Sequence, residues 1–330
     1  MADRVPTYKI SSAAFSLAMS ISEKIGKMEI YKNLDNKPHL RRNNRIKSIH
    51  SSLAIEANSL SLKEVRDVIA GHTVLGPETE ILEVKNAYEA YAQIAGIDPY
   101  SLKDLKKVHR IMTQGLIPDA GSFRKGEEGV FDGEQVIFIA PPPQNVPVLM
   151  DDLFTWMSRS KDQLNPLILS SVFHYEFLFI HPFSDGNGRM ARLWQKVLLS
   201  KWRDIFQYLP IESQIEKDQS GYYKAIADCH RAGRSDIFIE YMLDRIDKAL
   251  DDAMEQSTSS EDQISVYVGK LLDNMEYNVP YTASNLMSKI GIKTRDSFRN
   301  NYLRPAMDLG IVEMTIPDKP NSKNQRYIKR

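Results

Sequence analysis

Apolar residues recur at three- and four-residue spacing in seven segments of the chain: 62–69, 82–96, 102–116, 146–160, 165–180, 189–202 and 235–250. That spacing marks amphipathic helices, and so much of it predicts a mainly all-α fold. Start signals agree. Ser61 stands three residues before Glu64 and Ser101 three before Asp104, as a capping box or the helix dipole would favour. Pro147 and Pro166 suit a first turn, where a missing amide hydrogen costs nothing. One segment departs from this pattern. "EEGVFDGEQVIFIAPPP", residues 127–143, has β-branched and aromatic residues on both sides of Asp132-Gly133, which predicts a β-hairpin. Two strands alone are marginal in water, so this hairpin must lie against helices or bind something. Lining a site and serving as a structural flap are both open at this point.

A chain of 330 residues favours more than one unit. The small, polar stretch "DDAMEQSTSSEDQ", 251–263, reads as a linker or a frayed helix end. After it come a helix at 264–276, the helical segments "ASNLMSKIG" and "RDSFRNNYLRPAMDLG", a strand, a Pro/Lys/Asn-rich loop and a second strand. That order is the layout of a winged helix-turn-helix domain over 264–330, with Pro305 predicting a kink or a start in the third helix. Residues 281–330 hold ten Lys/Arg against four Asp/Glu, in a chain whose 43 basic and 43 acidic residues cancel. The local excess suits a DNA-binding face, and equally a solvated surface for protein docking or dimerisation. The neutral whole has no general pull toward nucleic acid or membrane.

The single cysteine, Cys229, fits a reducing compartment and reads as a small buried residue. "MADRVPTYKI" lacks the apolar core of a signal peptide. The most apolar run, 167–183, is broken by His174, Tyr175 and Glu176, so a buried helix is expected and a membrane span is not. The expected location is cytoplasmic.

"IHPFSDGNGRMARL", residues 180–193, joins two of the helical segments. Pro182 makes continued helix at His181 unfavourable, and Phe183 is expected to anchor in the core. The turn Ser184–Gly188 contains two glycines, which permit left-handed angles and close backbone approach. The next helix begins near Arg189, so its free amide hydrogens face this turn. Amides, Gly186, Asn187, Gly188 and a helix N-terminus make an anion site suited to phosphate. Arg189 and Arg192, three apart, add two cationic forks. Asp185 is placed to hold a magnesium ion together with substrate phosphates, and His181 to take a proton from a hydroxyl. These groups describe attack on a nucleoside triphosphate, and no Gly-x-x-x-x-Gly-Lys-[Ser/Thr] sequence accompanies them. The bland alternative is a capped helix corner with surface arginines. His174 reads as a packed core histidine, and the remaining histidines show no paired metal spacing.

"HPFSDGNGRMAR" resembles the signature of Fic-domain proteins, His-Pro-Phe-x-[Asp/Glu]-Gly-Asn-Gly-Arg-x-x-Arg, with every fixed position filled. The resemblance extends over about residues 40–250 and implies an all-α core with a β-hairpin flap. The implied activity is transfer of AMP from ATP to a Ser, Thr or Tyr hydroxyl of a target protein, with Mg2+ or Mn2+. By position it makes His181 the general base and Asp185 the metal ligand. Gly186, Asn187 and Gly188 become the anion hole, Arg189 a phosphate ligand and Arg192 the partner of the γ-phosphate. Phe131, Gly133 and Ile137 fall on the flap that docks the target segment by strand pairing, and Tyr222 and Tyr223 fall near the adenosine. A lysine in place of Gly188 marks kinases, so the glycine implies AMP transfer with pyrophosphate leaving.

"SSLAIEAN", 51–58, resembles the family's inhibitory motif, [Ser/Thr]-x-x-x-Glu-[Gly/Asn], through Ser52 and Glu56, with Ala57 where Gly or Asn is usual. The implied domains are 1–80 with an inhibitory helix near 45–58, a catalytic core at 81–250, a linker at 251–263 and a winged helix at 264–330. The expected protein is an adenylyltransferase held off by Glu56 pairing with Arg192, able to modify itself. Two alternatives are a hydrolase removing AMP through the same residues, and an ATP-sensing DNA-binding regulator; a homodimer is possible.

Overall fold

The computed structural model of the chain describes residues 4–31, 38–132, 135–263, 266–308, 311–320 and 322–329. They fall into two units, one from Met1–Lys27 and Asn43–Asp251, the other from Met28–Arg42 and Asp252–Arg330.

The first unit is helical. It holds most of α1 (Ser12–Tyr31) and α2 (Pro38–Ala54), all of α3 (Leu62–Ile69), α4 (Glu78–Ala92), α5 (Leu102–Thr113), α6 (Val146–Ser160), α7 (Pro166–Ile180), α8 (Asn187–Trp202), α9 (Ile211–Lys217) and α10 (Gln219–Ala232), and the first part of α11 (Asp236–Gln263). At α3 the Ser61–Glu64 capping box forms in full, and Ser101 caps α5 through the Asp104 amide. α7 is buried on every side from Leu167 to Phe177, as an apolar helix at the centre of a bundle must be. α8 packs on it and buries Trp194, whose indole donates to the Pro99 carbonyl at 3.0 Å. Phe154 joins the pair edge-on to Phe173 and tilted to Trp194. A buried ion pair, Lys196 to Glu212 at 3.2 Å, links α8 to α9, and Tyr91 on α4 donates to the same carboxylate at 2.9 Å. Cys229 is buried on α10, where burial pushes its thiol up to about 11.

Between α5 and α6 lie the only strands of this unit among the described residues: β1 (Gly129–Asp132) and β2 (Gln135–Ile139), antiparallel, with a register irregularity at Val130/Phe131. Residues 251–263, read above as a linker or a frayed helix end, continue α11 to Gln263.

The second unit has its own core. α12 (Val266–Asp273), α13 (Ala283–Ile290) and a third helix over 295–308 enclose Val268, Leu272, Leu286, Phe298 and Tyr302. The third helix is α14 (Arg295–Ser297), a π-turn (Phe298–Leu303) and α15 (Arg304–Asp308). The wide turn sits directly before Pro305, which cannot donate to the helix ladder. Strands β3 (Val312–Met314) and β4 (Tyr327–Lys329) pair antiparallel, and Tyr281 bridges to Tyr327.

Candidate active site

The loop between α7 and α8 owes its shape to its own side chains and to one buried ring and one buried cation from elsewhere, His109 and Arg124. His181 ends α7 in a left-handed conformation, φ 50°, and Gly186 reverses the chain again at φ 79°. Asn187 spans the loop: its side-chain oxygen accepts from the Phe183 amide at 3.0 Å and its nitrogen donates to the Phe183 carbonyl at 2.8 Å. The Asn187 carboxamide is therefore committed to the loop, and its backbone amide is the group it has left for an anion. The α8 ladder begins with Met190 donating to the Gly186 carbonyl, so the amides at 187–189 point toward the loop.

Phe183 is fully buried and stacks on His109 at 3.6 Å with an interplanar angle of 5°. The His109 Nδ1 accepts from the Gly121 amide at 2.9 Å, which places the hydrogen on Nε2, donating to the Asp185 carbonyl at 3.0 Å. Burial pushes His109 down to about 4, so the ring stays neutral and acts as a strut. Arg124 is the second support. Buried, it donates to the carbonyls of His181 (2.6 Å), Gly126 (2.8 Å) and Pro141 (2.5 Å), which ties the histidine loop to both ends of the hairpin.

The two signature arginines are buried and paired. Arg189 donates to Glu83 at 3.0 Å and to Asp185 at 2.6 Å. Arg192 reaches the Ser52 hydroxyl at 3.0 Å, the Ser52 carbonyl at 2.8 Å and Glu56 at 2.7 Å. The Glu56 carboxylate beside it raises the Arg192 pKa against the opposing effect of burial. Glu56 lies one turn past α2, in a turn and not inside the helix expected to extend to residue 58. Its carboxylate occupies the space that a side chain on Gly188 would fill, so it stands at the amide end of α8. The guanidinium nitrogens Nη1 of Arg192 and Nε of Arg189 are buried and form no hydrogen bond, as expected of forks with donors to spare for an anion.

Beside this cluster is a cavity of about 600 Å³ lined by Glu56, Leu178, His181, Gly188, Tyr223 and Ile226, among others. The His181 Nδ1 faces the Leu178 carbonyl at 3.4 Å, and burial lowers its pKa. Tyr222 also lines the cavity, but its hydroxyl turns inward to His174 at 2.9 Å, and His174 contacts Gln195 at 2.5 Å. Tyr223 donates to the Ile55 carbonyl at 3.2 Å, next to Gln219 at 2.9 Å. Asp185 is half-exposed at the cradle's edge, and its second oxygen accepts from the Gly186 amide. Among the described residues no three His, Cys, Asp or Glu side chains gather as a metal cage. A single carboxylate of this kind fits a magnesium ion held jointly with phosphates.

Sequence reading had thus named residues that the fold brings together: Ser52, Glu56, His181, Asp185, Gly186, Gly188, Arg189, Arg192 and Tyr223. Gly133 lies outside the described residues, as do the side chains of Phe131 and Ile137, whose backbones run in β1 and β2. Sequence reading missed Glu83, His109 and Arg124. Each meets the loop from a distant part of the chain, and no local motif marks them. Ala57, the position departing from the inhibitory motif, carries φ 66°, the angle that explains why Gly or Asn is usual there.

Residues 99–199 match the Fic/DOC family, and residues 267–328 match the C-terminal domain of "Filamentation induced by cAMP protein Fic-like". A crystal structure of a Fic family protein from Desulfovibrio desulfuricans G20 is 40% identical, with a TM-score of 0.75 over 99% of this chain and 98% of that one. Fic-1 (aa134 - 508) from C. elegans shares the fold at 20% identity, with a TM-score of 0.63 over 75% of this chain and 74% of that one. The "Protein adenylyltransferase Fic" of Aedes aegypti is 27% identical over 213 residues, covering 56% of this chain and 40% of that protein. The chain thus spans about 40% of the length of the curated relatives it matches. No helix among the described residues is long and apolar enough to cross a membrane. A near-full-length relative at 40% identity, together with the two family matches, means that the chain belongs to the Fic family.

Proposed function

We propose that the protein is an adenylyltransferase that moves AMP from ATP to a Ser, Thr or Tyr hydroxyl of a target protein, itself included. The observation that carries this reading is the convergence of His181, Asp185, Arg189 and Arg192 on the amide end of α8 beside an open cavity. The acceptor oxygen attacks the α-phosphorus, the bond from the α-phosphorus to the bridging oxygen breaks, and pyrophosphate leaves. The hydroxyl proton passes to the His181 Nε2, which is free to accept when Nδ1 carries the hydrogen that faces Leu178. The amides at 187–189 and the two guanidinium forks hold the phosphate oxygens. A Mg2+ or Mn2+ ion held by Asp185 would neutralise phosphate charge. Glu56 restrains the site by standing at the α8 amides and binding Arg192, both of which the γ-phosphate needs. Incubation with α-labelled ATP is expected to label wild type weakly, Glu56→Gly strongly and Glu56→Gly/His181→Ala not at all. An unlabelled Glu56→Gly protein with either metal counts against the reading. Release of AMP from a modified protein under the same conditions would favour the hydrolase.

One observation in the second unit supports a second activity through its winged-helix layout. The third helix exposes Arg295, Arg299, Asn300 and Arg304, and the three arginines form no ion pair among the described residues. A turn that closes from i to i+5 brings Arg299 and Arg304, five apart, to one side. Such a face suits DNA phosphates. A gel shift by the full chain that weakens steeply with salt, and weakens further in Arg299→Glu, is the expected result; no shift at low salt makes the face a protein-docking surface.

A further inference from the structure

Both signature arginines are tied to the 52–58 segment, Arg192 directly through Ser52 and Glu56 and Arg189 at one remove through Glu83. Arg189 donates to Glu83 Oε1 at 3.0 Å, while Glu83 Oε2 accepts from the Asn58 side chain at 2.8 Å. One carboxylate on α4 therefore bridges the first arginine of the signature and the residue two past Glu56. The same end of α4 holds its neighbours: the Glu80 carboxylate accepts from the Ser59 amide at 2.7 Å, and the Glu80 carbonyl from Asn58 at 3.3 Å. The Arg189 side chain is 4% exposed and has two carboxylate partners, Glu83 and Asp185. Glu83 is the more enclosed of the two, at 23% against 49% exposed, and Asp185 is the one in the loop before α8.

Resting on the adenylyltransferase reading, we infer that Glu83 is a positioning residue with two effects. It fixes the Arg189 fork from the side away from substrate, so the fork keeps its direction when Asp185 turns to other partners. It also latches Asn58, and through Asn58 holds the turn that carries Glu56 against Arg192. A guanidinium buried to this degree stays aimed only while an acceptor of opposite charge fixes it. The Asn58 amide, in turn, is the link by which loosening α4 would loosen the inhibitory contact without touching Glu56 or Arg192. Ala57 between them is already in a left-handed conformation, so the turn depends on such external ties.

The two effects separate in a pair of backgrounds. In Glu56→Gly, where the inhibitory contact is gone, Glu83→Gln is expected to weaken ATP binding measured by calorimetry about tenfold and to lower AMP transfer at least as much. Asn58→Ala in that background should change neither. In the wild-type background, Asn58→Ala should raise self-labelling from α-labelled ATP severalfold, because the latch is cut while Arg189 keeps Glu83. Glu83→Gln differs from the parent in one atom; should it fail to fold, Glu83→Asp, which withdraws the carboxylate by one methylene, is measured against the same expectation. ATP affinity unchanged by the Glu83 variants overturns the positioning effect, and self-labelling unchanged by Asn58→Ala overturns the latch. A Glu56→Gly protein that binds ATP and transfers no AMP refutes the adenylyltransferase reading instead, and the calorimetry still tests Glu83.

Discussion

At Ala57 a single backbone angle bears on the restraint proposed for Glu56. At φ 66° it is one of three non-glycine residues with positive φ among the described residues, and the left-handed region costs an L-residue about 1–2 kcal/mol. Glycine would remove that cost and add about 0.4–1 kcal/mol of unfolded-state freedom. The net expectation for Ala57→Gly is a stabilisation of up to about 1.5 kcal/mol, read as a higher urea midpoint. A firmer turn also holds Glu56 on Arg192 more often, so wild-type self-labelling should fall, and Ala57→Val should move both readouts the other way. In the sequence, Ala57 stands out only as a departure from a pattern. The physical meaning of the departure, strain next to the carboxylate, needs the dihedral angle.

Among the elements, the histidine loop and the hairpin meet in Arg124. Four carbonyls within hydrogen-bond distance belong to the end of α7, the loop after it and the two ends of the hairpin segment (Ile180, His181, Gly126 and Pro141), and its own amide donates to the Pro182 carbonyl at 2.9 Å. A planar fork reaches divergent carbonyls in a way that a lysine ammonium cannot. Arg124→Lys should therefore leave buried carbonyls unpaired at about 1–3 kcal/mol each. The expected outcome is a loss of about 3 kcal/mol in urea unfolding and, in the Glu56→Gly background, a larger loss in transfer to a target protein than in ATP binding. Equal loss in both would make Arg124 a fold residue alone. The helices themselves were legible where one face is buried, as in α3, whose predicted and observed limits coincide. α1 was not read, because it buries Ile21 and Ile25 yet exposes Phe15 and Met19, which leaves no clean apolar stripe. Nor could any window of sequence show Arg124 at the His181 carbonyl, 57 positions away, or Glu83 at Arg189, 106 away.

At the scale of the whole molecule, the two units differ in what an optical probe can see. Trp156, Trp194 and Trp202 all lie in the first unit, so tryptophan fluorescence reports its unfolding and not that of the second. This unit buries histidines in neutral form. Burial pushes His109 and His230 down to about 4 and His174 to about 3, against about 6.5 in an unfolded chain. Between these values the unfolded state binds protons that the native state refuses, so stability rises with pH across that window and is lost as the solution is acidified. Above the unfolded value both states are neutral, and the dependence vanishes. With His109 and His174 fully buried, about two protons separate the states near pH 5.5, which corresponds to about 2.5 kcal/mol per pH unit. That is steep for domains whose total stability is about 5–15 kcal/mol. Urea unfolding followed by tryptophan fluorescence should give free energies nearly level from pH 7 to 8 and falling at about that slope between pH 6 and 5. A slope of one proton or less in that interval would mean that the strut under Asp185 and the partner of Tyr222 are hydrated in the folded protein, and the neutral-histidine account of the loop would have to be abandoned.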